Sequence, residues 1–560
     1  MLANVRSAVV LTPQPRPDGP PARRQRRLSL GERGEALAGL AQGLLDVLII
    51  GGGVTGCGVA LECAARGLAT GLVEARDFGG GTSSRSTKLI HGGLRYLRHF
   101  EFDLVQEAAH ERRRLGQLAP GLVSEFPFVL PFYGGPWSAA QLRVGLSTYD
   151  LMGGFGGHSR NVGVSQERLR NRFAPLLNGG ARGAYQYFDA LTDDARLTIQ
   201  VAKTAASLGA RLANYLPVQA IEPAAGHYRV IVRDGLGADE HTLRARRVVL
   251  AAGVWLDELM GMIEPGWEPV IAPAKGIHLF IPRGALGPDC AFTLSAPSDG
   301  RLIFAIPWYG RLMIGTTDTP YRGPLADPLP DPEGAAYLIE SIDARLPGLG
   351  IGQAPIIGAQ AGVRPLIREE GADLEDTSRR ERYLRGRSGV IAVGGGKLTT
   401  YRQIARRLAD LVAAELGASL PPPVQADTGR IPVNRRIGEP SGSALASVAD
   451  PGRSEVLRIA YGEGAGEIAR IAARGHGRMI PGADLSEAEV RYAVAHEMAQ
   501  TPEDLLARRR RTFLVEEGNG EAAAGPLASL LADLLGRSGD WAEEIAGSYL
   551  ATVRAHRGAV

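Results

Sequence analysis

Cysteines, long apolar runs and excess charge are scarce in this 560-residue sequence. Because three cysteines leave one unpaired in any scheme, we interpret Cys57, Cys63 and Cys290 as small core residues in a reducing compartment, and we expect no metal site. No apolar run approaches the roughly 20 residues that span a bilayer, so we expect a soluble or peripheral protein. A formal net charge of +3 does not favour a polyanion binder, and we expect no nucleic-acid partner.

The N-terminal region is rich in proline and arginine and lacks the apolar segment and cleavage site of a signal peptide. We predict that residues 1–34 form a disordered basic tail. The alternative is a basic patch that touches anionic lipid or nucleic acid. The rest of the chain is long enough for about two to four domains, and its hydrophobic content of 44% supports large cores.

A glycine-rich turn follows the first predicted strand, Asp46–Ile50. Gly51, Gly53 and Gly56 form a G-x-G-x-x-G pattern that allows a tight turn, close approach of a pyrophosphate and close packing of the next helix. Glu74 ends the second predicted strand, where its carboxylate suits ribose hydroxyls. The pattern predicts a dinucleotide site, although a glycine turn without a ligand remains the alternative, and it does not separate NAD from FAD.

Two later stretches favour FAD over NAD. The segment Val248–Leu256 reads as a buried strand that ends in small residues, including Gly253, which suits a strand under a cofactor. The segment Gly389–Arg402 is a second strand–glycine–helix unit, whose helix N-terminus suits the pyrimidine end of a flavin, where negative charge develops on reduction. An enzyme that uses only NAD has no need of this late unit.

Cationic and polar side chains occur where a small anion could be held. They follow the turn or lie far beyond it, at Lys88, His91, Arg95, Tyr96, His278, Arg364, Arg379 and Lys397. A single arginine is usually a solvated or salt-bridged surface residue, and a single histidine is usually structural. The glycine and apolar neighbours of these residues favour a binding role, because a buried unpaired charge is costly. Alternation on a strand permits His278 to point into a cleft.

Several long motifs identify a family. They are KLIHGGLRYL, TDDARL, KGIHLFIP, IPWYGRLMIGTTD, GVRPL and GGGKLTTYR, followed near the C-terminus by RYAVAHEMAQTPEDLLARRRRTFL. In this order, over roughly residues 35–515, the sequence closely resembles the FAD-dependent, respiratory glycerol-3-phosphate dehydrogenases.

The resemblance implies an α/β plus α fold of the amino-acid-oxidase type. A discontinuous, Rossmann-like FAD-binding domain is expected at residues 35–125, 187–270 and 355–418. A substrate domain with an antiparallel sheet is expected at residues 126–186 and 271–354. A linker at Leu420–Val424 then leads to an α-helical C-terminal domain at residues 425–560.

The resemblance also implies oxidation of sn-glycerol 3-phosphate to dihydroxyacetone phosphate, with electrons passing from FAD to a membrane quinone. Members of the family are peripheral on the cytoplasmic face of the inner membrane, and the C-terminal helices are candidate surfaces for membrane docking or for a homodimer. Two alternatives remain. One is an oxidase that uses oxygen on the same substrate, and the other is an amino-acid-oxidase-type flavoenzyme of the same fold.

The resemblance assigns roles to individual residues. His278 is expected to be the base that takes the hydroxyl proton, with Arg364 near that hydroxyl. Phosphate and substrate contacts are expected from Arg95, Tyr96, Arg379 and Lys397. The residues expected to bind FAD are Gly51, Gly53, Gly56, Glu74, Thr82, Ser83, Ser84, Lys88, His91, Gly92, Gly93, Leu94, Gly253, Gly395, Gly396, Lys397, Leu398 and Thr399.

Overall fold

The computed structural model describes nine stretches of the chain. They are residues 27–94, 101–152, 160–173, 175–178, 180–237, 239–368, 380–417, 427–435 and 451–560. The candidate residues Arg95, Tyr96 and Arg379 lie outside these stretches, as do the predicted linker and most of the predicted tail.

The strands and longer helices follow one another along the chain as given below. The strands are β1 (Leu44–Ile50), β2 (Thr70–Val73), β3 (Leu89–Ile90), β4 (Val123–Phe132), β5 (Val162–Gly163), β6 (Gly183–Thr192), β7 (Arg211–Ala213), β8 (Val218–Ala224), β9 (His227–Arg233), β10 (Glu240–Leu250), β11 (Ile271–Pro282), β12 (Ala291–Ser295), β13 (Leu302–Trp308), β14 (Arg311–Gly315), β15 (Thr319–Pro320), β16 (Gly358–Ile367), β17 (Arg382–Arg385) and β18 (Ile391–Gly394). The helices are α1 (Leu30–Gln42), α2 (Val54–Ala65), α3 (Phe102–Leu118), α4 (Pro136–Met152), α5 (Gln166–Arg168), α6 (Asp194–Ser207), α7 (Leu256–Ile263), α8 (Pro332–Arg345), α9 (Tyr401–Leu416), α10 (Pro451–Tyr461), α11 (Gly464–Ile471), α12 (Glu487–Glu497), α13 (Thr512–Val515), α14 (Ala524–Leu535) and α15 (Gly539–Arg557).

The first sheet has the order β17-β18-β10-β1-β2-β7, and a ribbon of β8 and β9 extends from β10. Strands β18, β10, β1, β2 and β7 are parallel, so their carboxyl ends meet at one edge. The apolar run of β1 is buried, as a strand covered on both faces requires. Helices α2, α6 and α9 pack together in one hydrophobic cluster with residues of β1 and β18. The sheet therefore brings the G-x-G-x-x-G turn and the late glycine loop to the same edge.

The second sheet has the order β15-β11-β14-β13-β12-β4-β6-β3, with β16 paired along β11 and β5 along β6. Most of its pairs are antiparallel, and β4 with β12 is a parallel exception. The mixed architecture, with helices covering the C-terminal region, confirms the predicted fold class. Strand β16 and the C-terminal part of β6 belong to this second sheet, although both lie in segments that the sequence assigned to the FAD-binding domain.

The structure also corrects the end of the predicted tail. Helix α1 begins at Leu30, inside the segment 1–34, and Leu28 is already buried. The buried guanidinium of Arg33 donates to both carboxylate oxygens of Asp234, at 3.0 and 2.8 Å, which ties the helix to the first sheet. No helix in the part of the chain that the structure describes is long and apolar enough to cross a membrane.

Candidate active site

The glycine turn after β1 is shaped by close backbone approaches. Gly51 has a φ of +110°, and a Cβ built there would lie 2.5 Å from the carbonyl oxygen of Ala251 at the end of β10. A Cβ on Gly56 would lie 1.9 Å from the carbonyl oxygen of Gly51. Only glycine fits at these positions, and the turn leads directly into the N-terminus of α2, where backbone N–H groups favour an anion.

The carboxylate of Glu74 is held at the end of β2. It accepts hydrogen bonds from the backbone N–H of Gly52 at 2.5 Å and of Arg76 at 2.9 Å. Burial raises the pKa of Glu74, and these two hydrogen bonds oppose that shift. Beside it, the hydroxyl of Ser83 accepts from the backbone N–H of Val54 at 2.9 Å. An acid oriented in this way suits the hydroxyls of a ribose.

A first cavity runs along this edge of the parallel sheet. Of the residues predicted to bind FAD, it is lined by Gly51, Gly53, Glu74, Thr82, Ser83, Gly253, Gly395, Gly396, Lys397 and Leu398. Gly395 and Gly396 have φ values of +75° and +91°, which brings the loop after β18 into the cavity wall. The cavity therefore joins the early and the late glycine loops, as a dinucleotide site requires.

A second cavity opens between the two sheets and shares part of its wall with the first. The shared residues are Thr82, Ser86, Pro365, Gly395, Gly396, Lys397 and Leu398. His91, Gly93, Leu94, His278, Arg364 and Thr399 also line this chamber. A ligand in the first cavity and a smaller one in the chamber would thus meet at the late glycine loop.

His278 lies on β11 with its ring buried in the wall of the chamber. Its Nε2 lies 2.9 Å from the hydroxyl of Thr87, and its Nδ1 lies 3.5 Å from Nε2 of Gln360. A Cβ on Gly315, the residue opposite on β14, would lie 2.3 Å from the ring, so glycine leaves the ring its space. Burial, together with the charges of Lys88 and Arg364, holds the pKa of His278 well below its ordinary value. The imidazole is therefore neutral.

Arg364 projects from β16 into the same chamber. Its guanidinium donates to the carboxylate of Asp318 at 2.7 Å and to the hydroxyl of Thr316 at 3.0 Å. A Cβ on Gly276 of β11 would lie 2.5 Å from the Arg364 guanidinium, so glycine is needed there too. These contacts orient a cation that is charged at every physiological pH.

Lys397 and Thr399 belong to the loop that separates the two cavities. Lys397 lines both cavities. The hydroxyl of Thr399 donates to the carbonyl of His91 and accepts from its backbone N–H, both at 3.1 Å. The two glycine-rich segments are therefore joined to each other next to the chamber.

Three of the predicted FAD-binding residues lie behind the cavity walls. The ammonium of Lys88 is fully buried and donates to the carboxylate of Asp194 at 3.2 Å, so it is a structural ion pair and not a ligand contact. The backbone of Ser84 accepts from Lys88, and the N–H of Gly92 donates to the hydroxyl of Tyr149. The prediction for Lys88 is corrected, because its partner Asp194 is more than 100 positions away in the sequence.

Several residues of the chamber were not predicted. Arg85, Thr87, Asp189 and Thr293 line it, and Gln360 contacts His278 from behind. Arg85 and Thr87 lie inside the polar run between Thr82 and Arg95, so that run carried a signal. Gln360 stands two strand positions before Gly362 and has no feature that marks it in the sequence.

Comparisons with known proteins agree with this geometry. Residues 46–411 match the family model for FAD-dependent oxidoreductases, and residues 432–542 match the model for the C-terminal domain of alpha-glycerophosphate oxidase. The chain is 34% identical to the aerobic glycerol-3-phosphate dehydrogenase of Bacillus subtilis over 496 residues, which are 85% of this chain and 89% of that protein. It is 35% identical to the glycerol-3-phosphate dehydrogenase of Mycobacterium leprae over 528 residues, 91% of this chain and 88% of that protein.

A solved structure is similar over nearly the whole chain. It is the glycerol-3-phosphate dehydrogenase of Bacillus halodurans complexed with FAD, at a TM-score of 0.76 and 26% identity. The match covers 94% of this chain and 98% of that one.

Proposed function

Since the chain belongs to the family of FAD-dependent glycerol-3-phosphate dehydrogenases, we propose that it oxidises sn-glycerol 3-phosphate to dihydroxyacetone phosphate. The observation that carries this proposal is the shared wall of the two cavities, on which Lys397 lies between a dinucleotide groove and a chamber that also contains Arg364 and His278. A phosphate is a better match for several cations than the single carboxylate of an amino acid.

The residues of the first cavity fit FAD. The turn at Gly51 and Gly56 has no room for a side chain and lies at the start of α2, which suits a pyrophosphate. Glu74 suits the ribose, and Gly253, Gly395 and Gly396 would face the rest of the cofactor. When bound, FAD supplies the acceptor for the hydride of the substrate.

The residues of the chamber bind and orient the substrate. Lys397 holds the phosphate, and we assign Arg95, Tyr96 and Arg379 to the same ligand. Arg364, oriented by Asp318 and Thr316, lies near the hydroxyl that becomes the ketone. A fixed guanidinium at that point stabilises negative charge as it develops on the oxygen. His278 meets the same oxygen as a neutral imidazole.

A membrane quinone is the proposed final acceptor, reached by peripheral contact with the cytoplasmic face of the inner membrane. The family resemblance supports this choice, while the C-terminal family model is named after an oxidase, which is the second candidate. Purified protein with glycerol 3-phosphate and oxygen, without any added acceptor, separates the two. A dehydrogenase yields little hydrogen peroxide until a quinone analogue is supplied, whereas one hydrogen peroxide per substrate oxidised would favour the oxidase. A homodimer is a further proposal, which the mass in solution tests.

A further inference from the structure

The amide of Gln360 lies directly behind His278 in a fixed orientation. Gln360 is buried on β16, opposite His278 on β11. The ammonium of Lys88 donates to its Oε1 at 3.3 Å, and its Nε2 donates to the carbonyl of Ser86 at 3.0 Å. An ammonium can only donate and a carbonyl can only accept, so turning the amide over would place donor against donor and acceptor against acceptor. The nitrogen of the Gln360 amide therefore faces the imidazole.

This orientation decides which nitrogen of His278 carries the proton. Nε2 of Gln360 lies 3.5 Å from Nδ1 of His278 and can only donate to it. Nδ1 must then accept, and the proton of the neutral ring resides on Nε2. That nitrogen faces the hydroxyl of Thr87, which lines the chamber.

A second proton on the ring is opposed by its surroundings. The ring is buried, and the cations of Lys88 and Arg364 lie close to it. Protonation at Nδ1 would also set an N–H of the ring against the N–H of Gln360. The neutral form with its proton on Nε2 is thus the resting state.

We infer that Gln360, oriented by Lys88 and Ser86, is a positioning residue that makes His278 a hydrogen-bond donor to the substrate oxygen. This inference rests on the proposed function. A base at this place would need a lone pair on Nε2, and the contacts behind the ring remove it. The N–H of His278 stabilises the charge that develops on the substrate oxygen, and the hydroxyl proton passes to a water molecule of the chamber.

Two replacements of His278 separate a donor from a base. His278→Gln supplies an amide N–H near the position of Nε2 but no basic lone pair, whereas His278→Ala supplies neither. We expect anaerobic reduction of the bound FAD by glycerol 3-phosphate to slow at least about 100-fold in His278→Ala and to stay within about tenfold of the wild-type rate in His278→Gln. Equal losses in both variants would overturn the inference.

Gln360→Glu tests the tautomer from the other side. A carboxylate accepts from Lys88 and from Nδ1–H, so it moves the ring proton to Nδ1 and raises the pKa of His278. We expect slower flavin reduction and a new acidic limb in its pH profile, while the same charge change at the exposed Gln353, in Gln353→Glu, has no effect. A Gln360→Glu variant as fast as the wild type would show that His278 acts as a base.

The tautomer can also be read without turnover. In holoenzyme labelled with ¹⁵N in its histidine side chains, the ring signals absent from His278→Gln belong to His278. We expect the protonated nitrogen to be Nε2, and a proton on Nδ1 would overturn the inference. If the wild-type flavin is not reduced by glycerol 3-phosphate, the proposed function fails, while this spectrum still reports whether Gln360 sets the ring.

Discussion

Gly56 is a residue at which the glycine turn has no room for change. A methyl group in Gly56→Ala would meet the carbonyl oxygen of Gly51, so the turn must open and displace the backbone that receives the pyrophosphate. We expect the purified variant to lose most of its FAD. The ratio of flavin to protein absorbance measures this. Gly261→Ala, at an exposed helical position with open space around it, serves as the control and retains FAD.

Arg364 offers a test of the substrate chamber that spares the cofactor. Arg364→Ala removes a charge-assisted contact to the reacting end of the substrate, and we expect kcat/KM for glycerol 3-phosphate to fall about 100-fold, or about 2.7 kcal/mol. FAD content stays normal, as it does in the control Arg229→Ala, whose side chain is half exposed in a pair with Glu222. Steady-state kinetics with a dye acceptor checks this, and an unchanged kcat/KM would remove Arg364 from the site.

At the scale of single residues, local spacing predicted the positions that depend on neighbours in sequence. The glycines and Glu74 follow from one strand–turn–helix pattern, and the inward direction of His278 follows from alternation on a strand. Lys88 could not be placed in this way, because Asp194 takes its charge from a distant helix. Gln360 needed the pairing of β16 with β11 before its contact with His278 was visible.

Thr399 joins two elements, the loop after β18 and the segment after β3. Thr399→Val keeps the side-chain shape but loses both hydrogen bonds to His91, and Thr399→Ser keeps them. Because the chamber wall is held at this joint, we expect KM for glycerol 3-phosphate to rise several-fold in the valine variant and to stay near normal in the serine variant. Initial rates over a range of substrate concentrations measure the difference. A valine variant with the wild-type KM would show that the joint has no influence on binding.

Among the elements, the sequence misplaced one strand of the second sheet. Two prolines, Pro127 and Pro131, favoured an edge strand, yet β4 lies between β6 and β12. Its pairing with β12 is limited to Phe128 and Val129, between the two prolines, so their missing N–H groups are not needed there. The order of strands depends on such long-range pairing, which a local pattern does not contain.

A buried ion pair joins the C-terminal region to helix α6. The guanidinium of Arg196 donates to both carboxylate oxygens of Glu497, at 2.7 and 2.8 Å, and both side chains are fully buried. Burial alone would raise the pKa of Glu497, but the charges of Arg196 and Lys203 lower it to about 2. A depressed pKa stabilises the fold above the ordinary value of 4.5, and this stability is lost as the pH falls from 4.5 towards 2.

Glu497→Gln tests this link. At pH 7 we expect a lower Tm, because Arg196 is left buried without a counter-charge, at a cost of about 3–5 kcal/mol. The variant also loses part of the decline in Tm that the wild type shows below pH 4.5. Thermal scans at several pH values measure both effects, with the exposed Glu543→Gln as the control. Equal melting of Glu497→Gln and wild type at pH 7 would contradict the account.

For the whole molecule, long motifs predicted the fold class and the cofactor, whereas the borders between domains needed the sheets themselves. Strand β16 carries Arg364 in the second sheet, directly before the chain returns to the first sheet at β17. The sequence shows one continuous segment there, because the crossing occurs without a break in composition. The active chamber is formed where the chain makes this crossing.

Anaerobic addition of sn-glycerol 3-phosphate to the purified flavoprotein tests the central claim most directly. The account predicts that the flavin absorbance bleaches with one substrate per FAD and that dihydroxyacetone phosphate appears. Glycine and proline should leave the spectrum unchanged. Bleaching by either amino acid, with no response to glycerol 3-phosphate, would contradict the account.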